Sequence, residues 1–136
     1  MSGPSEHLSW KELACKDGAS YPLQYRIDGT SDKIAGIFEL IREFFGNKPI
    51  TVLSAYRTKS HNRSINGAKN SQHLYGRALD LRPPKGTSIN TFYSIIRSHA
   101  KEWGITGLGR YTTFVHVDIR PSDRLVIWSG IGVKDS

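Results

Sequence analysis

Two histidines and two aspartates in this chain are spaced as metal chemistry would need them. His73 and Asp80 are separated by six residues in Ser71-Gln72-His73-Leu74-Tyr75-Gly76-Arg77-Ala78-Leu79-Asp80, and His116 and Asp118 alternate in Phe114-Val115-His116-Val117-Asp118. The first spacing is too long for one helical turn. It suits a loop that presents His73 and turns at Gly76 into a strand carrying Asp80. In the second stretch, strand alternation sends His116 and Asp118 to one face and Val115 and Val117 to the other. A strand gains nothing by burying an imidazole and a carboxylate without partners. A metal ion removes that problem. His73, Asp80 and His116 make the two-histidine, one-carboxylate set, with one position left open, that hydrolytic zinc prefers. Asp118 then falls beside the attacking water as general base. Arg57, at the end of a predicted strand, is expected to stabilise an oxyanion or hold a substrate carboxylate.

The elements that must position these groups read as one α+β domain over residues 1–136, with a largely antiparallel sheet, two main helices packed on it and the metal site in a cleft on the sheet. Ile34, Ile37, Phe38, Ile41 and Phe45 recur at three- and four-residue steps, predicting a helix from Asp32 to Phe45, capped by Thr30 or Ser31 and closed by Gly46. Ser88 caps a second helix with Ile89, Phe92, Ile96 and Trp103 inward and Gly104 at its end. Strands are predicted at 49–54, 77–82, 105–109, 112–119 and 125–128. Residues 58–71 turn polar and read as a long loop serving the site. Residues 1–30 are expected to wrap the domain, with Ser9 and Glu12 as a capping box, and 129–136 to form a loose tail.

Totals bound the function. The chain has 136 residues, 38% of them hydrophobic, with three Trp, six Tyr and five Phe, so one packed core is expected. Its net charge of +7 favours polyanionic surroundings. The basic residues are scattered, and no recognition motif points to nucleic acid. No apolar run approaches a membrane span. Residues 1–7 lack the basic start and apolar middle of a signal peptide, so a soluble cytoplasmic product is expected. The single cysteine, Cys15, cannot form an internal disulfide. His7, His61 and His99 read as solvated histidines, with a substrate contact the alternative for His61.

The pattern Ser-x-His-x-x-Gly-x-Ala-x-Asp, met by Ser71, His73, Gly76, Ala78 and Asp80, resembles that of the zinc D-Ala-D-Ala carboxypeptidases and their relatives. Ser54-Ala55-Tyr56-Arg57 is similar to that family's Ser-Gly-Tyr-Arg turn. Gly67 to His73 and Gly109-Arg110-Tyr111 through Asp118 are similar to its small, single-domain branch, common in phages. The resemblance runs from about Leu8 to Trp128. It implies Zn2+ held by His73, Asp80 and His116, and substrate contacts from Arg57, Tyr56, Ser71 and Gln72. Many members carry a Glu or Asp three residues before the second histidine. Thr113 stands there in this chain, so the base is assigned to Asp118. The fold implied is the one shared with hedgehog signalling domains. The expected partners are peptidoglycan stem peptides, cut as a D-Ala-D-Ala carboxypeptidase or an L-Ala-D-Glu endopeptidase would cut them. The expected setting is a monomeric phage lysin, released by a holin or carried on a virion. The alternative is a zinc-containing module that binds wall peptide without cleaving it.

Overall fold

The computed structural model describes residues 2–130. In chain order they form α1 (Trp10–Leu13), α2 (Leu23–Ile27), α3 (Thr30–Phe44), β1 (Thr51–Ser54), α4 (Lys59–Ser64), a 3-10 turn (Gln72–Tyr75), β2 (Ala78–Arg82), α5 (Ile89–Trp103), β3 (Gly107–Arg110), β4 (Val115–Asp118) and β5 (Val126–Ser129).

The two long helices form where the apolar spacing places them. α3 buries Ile34, Ile37, Phe38 and Ile41 along one stripe, and α5 buries Phe92, Ile96, Ala100 and Trp103. These join Leu79, Leu81, Leu108, Val115 and Val117 from one face of the sheet in a single core. Each large side chain so buried contributes about 1.5–3 kcal/mol. α5 starts at the predicted cap, with the Ser88 hydroxyl accepting from the Thr91 N–H, and stops at Gly104 in the left-handed conformation. α3 starts two residues earlier than the periodicity implies. Gly29 is its N-cap, and Asp28 Oδ1 accepts from both the backbone N–H and the hydroxyl of Thr30, at 2.9 and 2.7 Å.

The sheet order is β1-β2-β4-β3-β5, with β3–β5 parallel and the other neighbours antiparallel. Register is what matters for chemistry. Ser54, Asp80, His116, Gly109 and Trp128 pair in succession and form one row across all five strands. Asp118 lies in the next row on that face, between Ala78 and Gly107. Alternation sends these residues to the face opposite the valines and leucines of the core.

Two expectations are corrected and one helix was not expected. The polar stretch 58–71 is not all loop, because Thr58 caps α4, its hydroxyl accepting from the His61 N–H. α2 carries no buried residue and so left no apolar stripe to read. Of the expected tail, Ser129 ends β5 and the Gly130 N–H donates to Arg110 O at 2.8 Å, while 131–136 lie outside the described residues.

Residues 2–28 are tied down at separate points. Glu39 on α3 accepts from Ser5 Oγ (2.6 Å) and the His7 N–H (2.7 Å), and lies 2.7 Å from His7 Nδ1. The Tyr56 N–H donates to Leu13 O at 3.1 Å, and Tyr21 Oη donates to Gly76 O at 2.6 Å. Partial burial alone would raise the Glu39 pKa. The hydrogen bonds from Ser5 and His7 outweigh it and hold the pKa below its ordinary 4.5. A depressed carboxylate pKa contributes stability that is present above the unfolded value and lost as pH falls through the folded one. Glu39→Gln is therefore expected to cost about 1 kcal/mol at neutral pH. The gap between wild type and variant should narrow below pH 4.5, as read by urea denaturation across pH.

Candidate functional site

His73, Asp80 and His116 come from three elements and meet at one oxygen. Asp80 and His116 are directly opposed on β2 and β4, and the 3-10 turn delivers His73 beside them. Asp80 Oδ1 lies 3.1 Å from His73 Nε2 and 3.0 Å from His116 Nδ1. The two imidazole rings are nearly perpendicular, with centroids 5.1 Å apart. All three side chains are at most 2% exposed.

The delivery of His73 explains the motif around it. Ser71 Oγ accepts from the His73 N–H at 3.2 Å and so caps the turn. Gly76 then reverses the chain at φ 66°, and a Cβ there would stand 2.8 Å from the Tyr25 ring and 3.0 Å from the Tyr21 hydroxyl. A side chain at that position is thus both strained and blocked.

Each of the three is held from behind by a different group. His73 Nδ1 lies 2.5 Å from Ala55 O, and a carbonyl only accepts, so in the neutral ring Nδ1 carries the proton and Nε2 is the nitrogen a metal would take. His116 Nε2 lies 2.7 Å from Asp118 Oδ2, which leaves Nδ1, 3.0 Å from Asp80 Oδ1, as the nitrogen a metal would take. Asp80 Oδ2 accepts from the Arg57 guanidinium at 3.3 Å. Two imidazole nitrogens and a carboxylate oxygen therefore face one another, the donor arrangement a cation would take. Burial lowers the His73 pKa, and the Asp80 charge opposes that without reversing it. Burial also pulls on His116, but its hydrogen bonds to Asp118 and Asp80 leave its pKa raised. For Asp80, burial is outweighed by the two histidines, which hold the carboxyl far below its usual range. The donor set of two imidazole nitrogens and a carboxylate oxygen suits zinc, and these atoms lie within 4.8 Å of one another.

The remaining expected residues are placed as follows. Asp118 is fully buried behind His116, and Arg120 binds it through its backbone N–H (3.0 Å) and guanidinium (2.7 Å to Oδ2). Burial would raise its pKa, but His116 and Arg120 hold it well below the usual carboxylate range. Gly107 makes the room, since a Cβ there would fall 2.1 Å from Asp118 Oδ1. Arg57, expected at the substrate, is 1% exposed and donates to Ser54 Oγ and Asn62 Oδ1, each at 3.1 Å, as well as to Asp80. Tyr56 is half-buried, edge-on to Tyr21 at 6.2 Å between ring centroids. Ser71 and Gln72 line a cleft of about 240 Å³ that reaches His116. Gln72 Oε1 also accepts from Arg77 Nε at 2.6 Å.

The far wall of that cleft was not anticipated. Tyr111, Arg120 and Trp128 form it, with the Trp128 Nε1–H donating to Tyr111 Oη at 2.9 Å and the indole 5.1 Å from the His116 ring. Gly109 permits this, because a Cβ there would stand 2.6 Å from the indole. Alternation beyond His116 and Asp118 would have pointed to Arg120. Nothing in the sequence marked Trp128, whose place depends on the parallel pairing of β5.

Comparison with known proteins agrees with this geometry. A stretch of 43 residues is 44% identical to the zinc D-Ala-D-Ala carboxypeptidase of Streptomyces albus G, covering 32% of this chain but only 17% of that relative's length. The pattern of the family described as Peptidase M15 matches residues 6–118, taking in the whole His–Asp–His cluster and every strand that builds it except β5. On that match the chain belongs to the Peptidase M15 family.

Proposed function

We propose that this protein is a zinc-dependent peptidase acting on peptidoglycan stem peptides, as a D-Ala-D-Ala carboxypeptidase or an L-Ala-D-Glu endopeptidase. The observation that carries this reading is the convergence of His73 Nε2, His116 Nδ1 and Asp80 Oδ1, with each imidazole's other nitrogen already committed. His73, Asp80 and His116 would hold the ion, and zinc bound there supplies Lewis acidity at the scissile carbonyl and toward the attacking water. The chain's own residues orient these ligands and bind substrate. Ala55 O and Asp118 fix the two histidine tautomers, and Arg57 fixes the carboxylate. The cleft between Ser71–Gln72 and Tyr111–Trp128 receives the peptide, with the indole and phenol as its apolar wall.

The roles of Asp118 and Arg57 follow from their surroundings. Asp118 is saturated by His116 and Arg120, so it acts through His116 as a positioning residue rather than taking a proton from water. Arg57 is a positioning residue for Asp80. The chain's charge of +7 suits adsorption to an anionic wall, and we place it as a monomeric lysin acting there after holin release or from a virion.

The direct test is mass spectrometry of purified cell walls digested by the zinc-loaded protein, which should show one new amino terminus and one new carboxyl terminus for each bond cut. His73→Ala should lose both the ion and the activity. If wild type and variant are equally inert across several wall chemistries while wild type still binds wall peptide, the chain is a binding module and not an enzyme. Asp118→Ala should weaken zinc affinity about 10–100-fold, the scale for removing a group that orients a metal ligand. Asp118→Asn keeps an oxygen that accepts from His116 and should lose less. Abolished turnover in Asp118→Asn at unchanged zinc affinity would instead make Asp118 the general base. Arg57→Met should destabilise the fold by about 3–5 kcal/mol by chemical denaturation, since it leaves a buried carboxylate without its cation.

A further inference from the structure

A second set of metal-ligating side chains lies outside the peptidase centre. Cys15, Asp17 and His61 each offer one ligand atom, and the three atoms lie within 4.8 Å of one another. They come from two distant segments, the loop after α1 and the first turns of α4. We propose that Cys15, Asp17 and His61 bind a second divalent ion, zinc or another borderline-soft cation, which fastens the 14–18 loop to the start of α4.

The donor chemistry is selective. Thiolate, imidazole and carboxylate together match zinc, and no hard cation such as magnesium prefers a thiolate. Bonds of about 2.0–2.3 Å place tetrahedral donors roughly 3.3–3.8 Å apart, so the side chains need close by only about an ångström. Two of the three ligand groups, Cys15 Sγ and Asp17 Oδ2, also have the hydrogen-bonding support that metal ligands need, and the third sits on the helix that the same residue caps. Thr58 reaches all three residues. Its N–H points at Cys15 Sγ from 3.5 Å, its hydroxyl donates to Asp17 Oδ2 at 2.7 Å, and the same oxygen accepts from the His61 N–H at 3.1 Å. Cys15 is 4% exposed while Asp17 faces solvent, so an ion can enter from the Asp17 side. The alternative chemistry for these residue types is a nucleophilic triad. That would place the imidazole between thiol and carboxylate, whereas here all three atoms lie within 4.8 Å of one another and the thiol is buried.

The sole cysteine of the chain gives this site a private signature. Full-length protein stripped with chelator and reloaded with Co2+ should show an ultraviolet thiolate-to-cobalt charge-transfer band, which His73, Asp80 and His116 cannot produce. Metal analysis after zinc loading should find two equivalents per chain in wild type. The double variant His73→Ala/His116→Ala should keep the band and one equivalent, which separates this site from the peptidase centre. Cys15→Ser should lose the band. His61→Ala and Asp17→Asn, at half-exposed and exposed positions, should each weaken cobalt binding at least tenfold. Absence of the band in wild type at excess cobalt overturns the proposal. So does a band whose affinity is unchanged in both His61→Ala and Asp17→Asn, because it would report an isolated thiol.

Discussion

A buried carboxylate oxygen with two imidazole nitrogens aimed at it is the constraint around which this molecule is arranged. Asp80 Oδ1 sits about 3 Å from each nitrogen on a side chain that is 2% exposed. Desolvation on that scale costs several kcal/mol per charge unless opposite charge is supplied on site. The protein supplies part of it from one side through Arg57. On the other side the two imidazole nitrogens lie within 3.1 Å of the same oxygen. Family membership and side-chain geometry therefore meet on the same three residues.

The sheet converts this constraint into a sequence pattern. One row across five strands reads Ser54, Asp80, His116, Gly109 and Trp128, and each has a distinct use: an acceptor for Arg57, two ligands, a gap and a cleft wall. The row behind it reads Ala78, Asp118 and Gly107, in which two small residues flank the carboxylate that orients His116. Glycine at 107 and 109 belongs to the site as much as the histidines do, because the Asp118 carboxylate and the Trp128 indole occupy the volume a side chain would take.

The convergence of His73, Asp80 and His116 was legible in the sequence because strand alternation and the spacing around Gly76 are local signals. The two long helices were legible for the same reason, since Ile34 to Ile41 and Phe92 to Trp103 repeat with the helical period. What escaped reading depends on partners far away in the chain. α4 has one buried residue, Asn62, and its polar sequence gave no stripe. Without α4 there was no way to see that Asn62 and Ser54 hold Arg57 inside the protein. Asp118 was legible by its type and face, while its neighbours were not. Only the pairing of β4 with β3 and the turn to Arg120 reveal that it is saturated.

Four consecutive residues, 55–58, show how tightly the site is coupled to the segment before it. Ala55 O fixes His73, the Tyr56 N–H binds Leu13 O, Arg57 holds Asp80, and Thr58 touches Cys15, Asp17 and His61. A shift of this strand end by a few tenths of an ångström would therefore move two ligands of the peptidase centre together. The N-terminal loop restrains that strand end through the Leu13 carbonyl and through the Cys15–Asp17–Thr58 contacts. Packing by α1 and α2 alone would restrain it weakly, since each is a short helix and α2 buries no residue. Short helices are marginal without tertiary support. Polar fastening at Thr58 is thus the physical reason why a loop far from the chemistry in sequence belongs to the machinery that holds it.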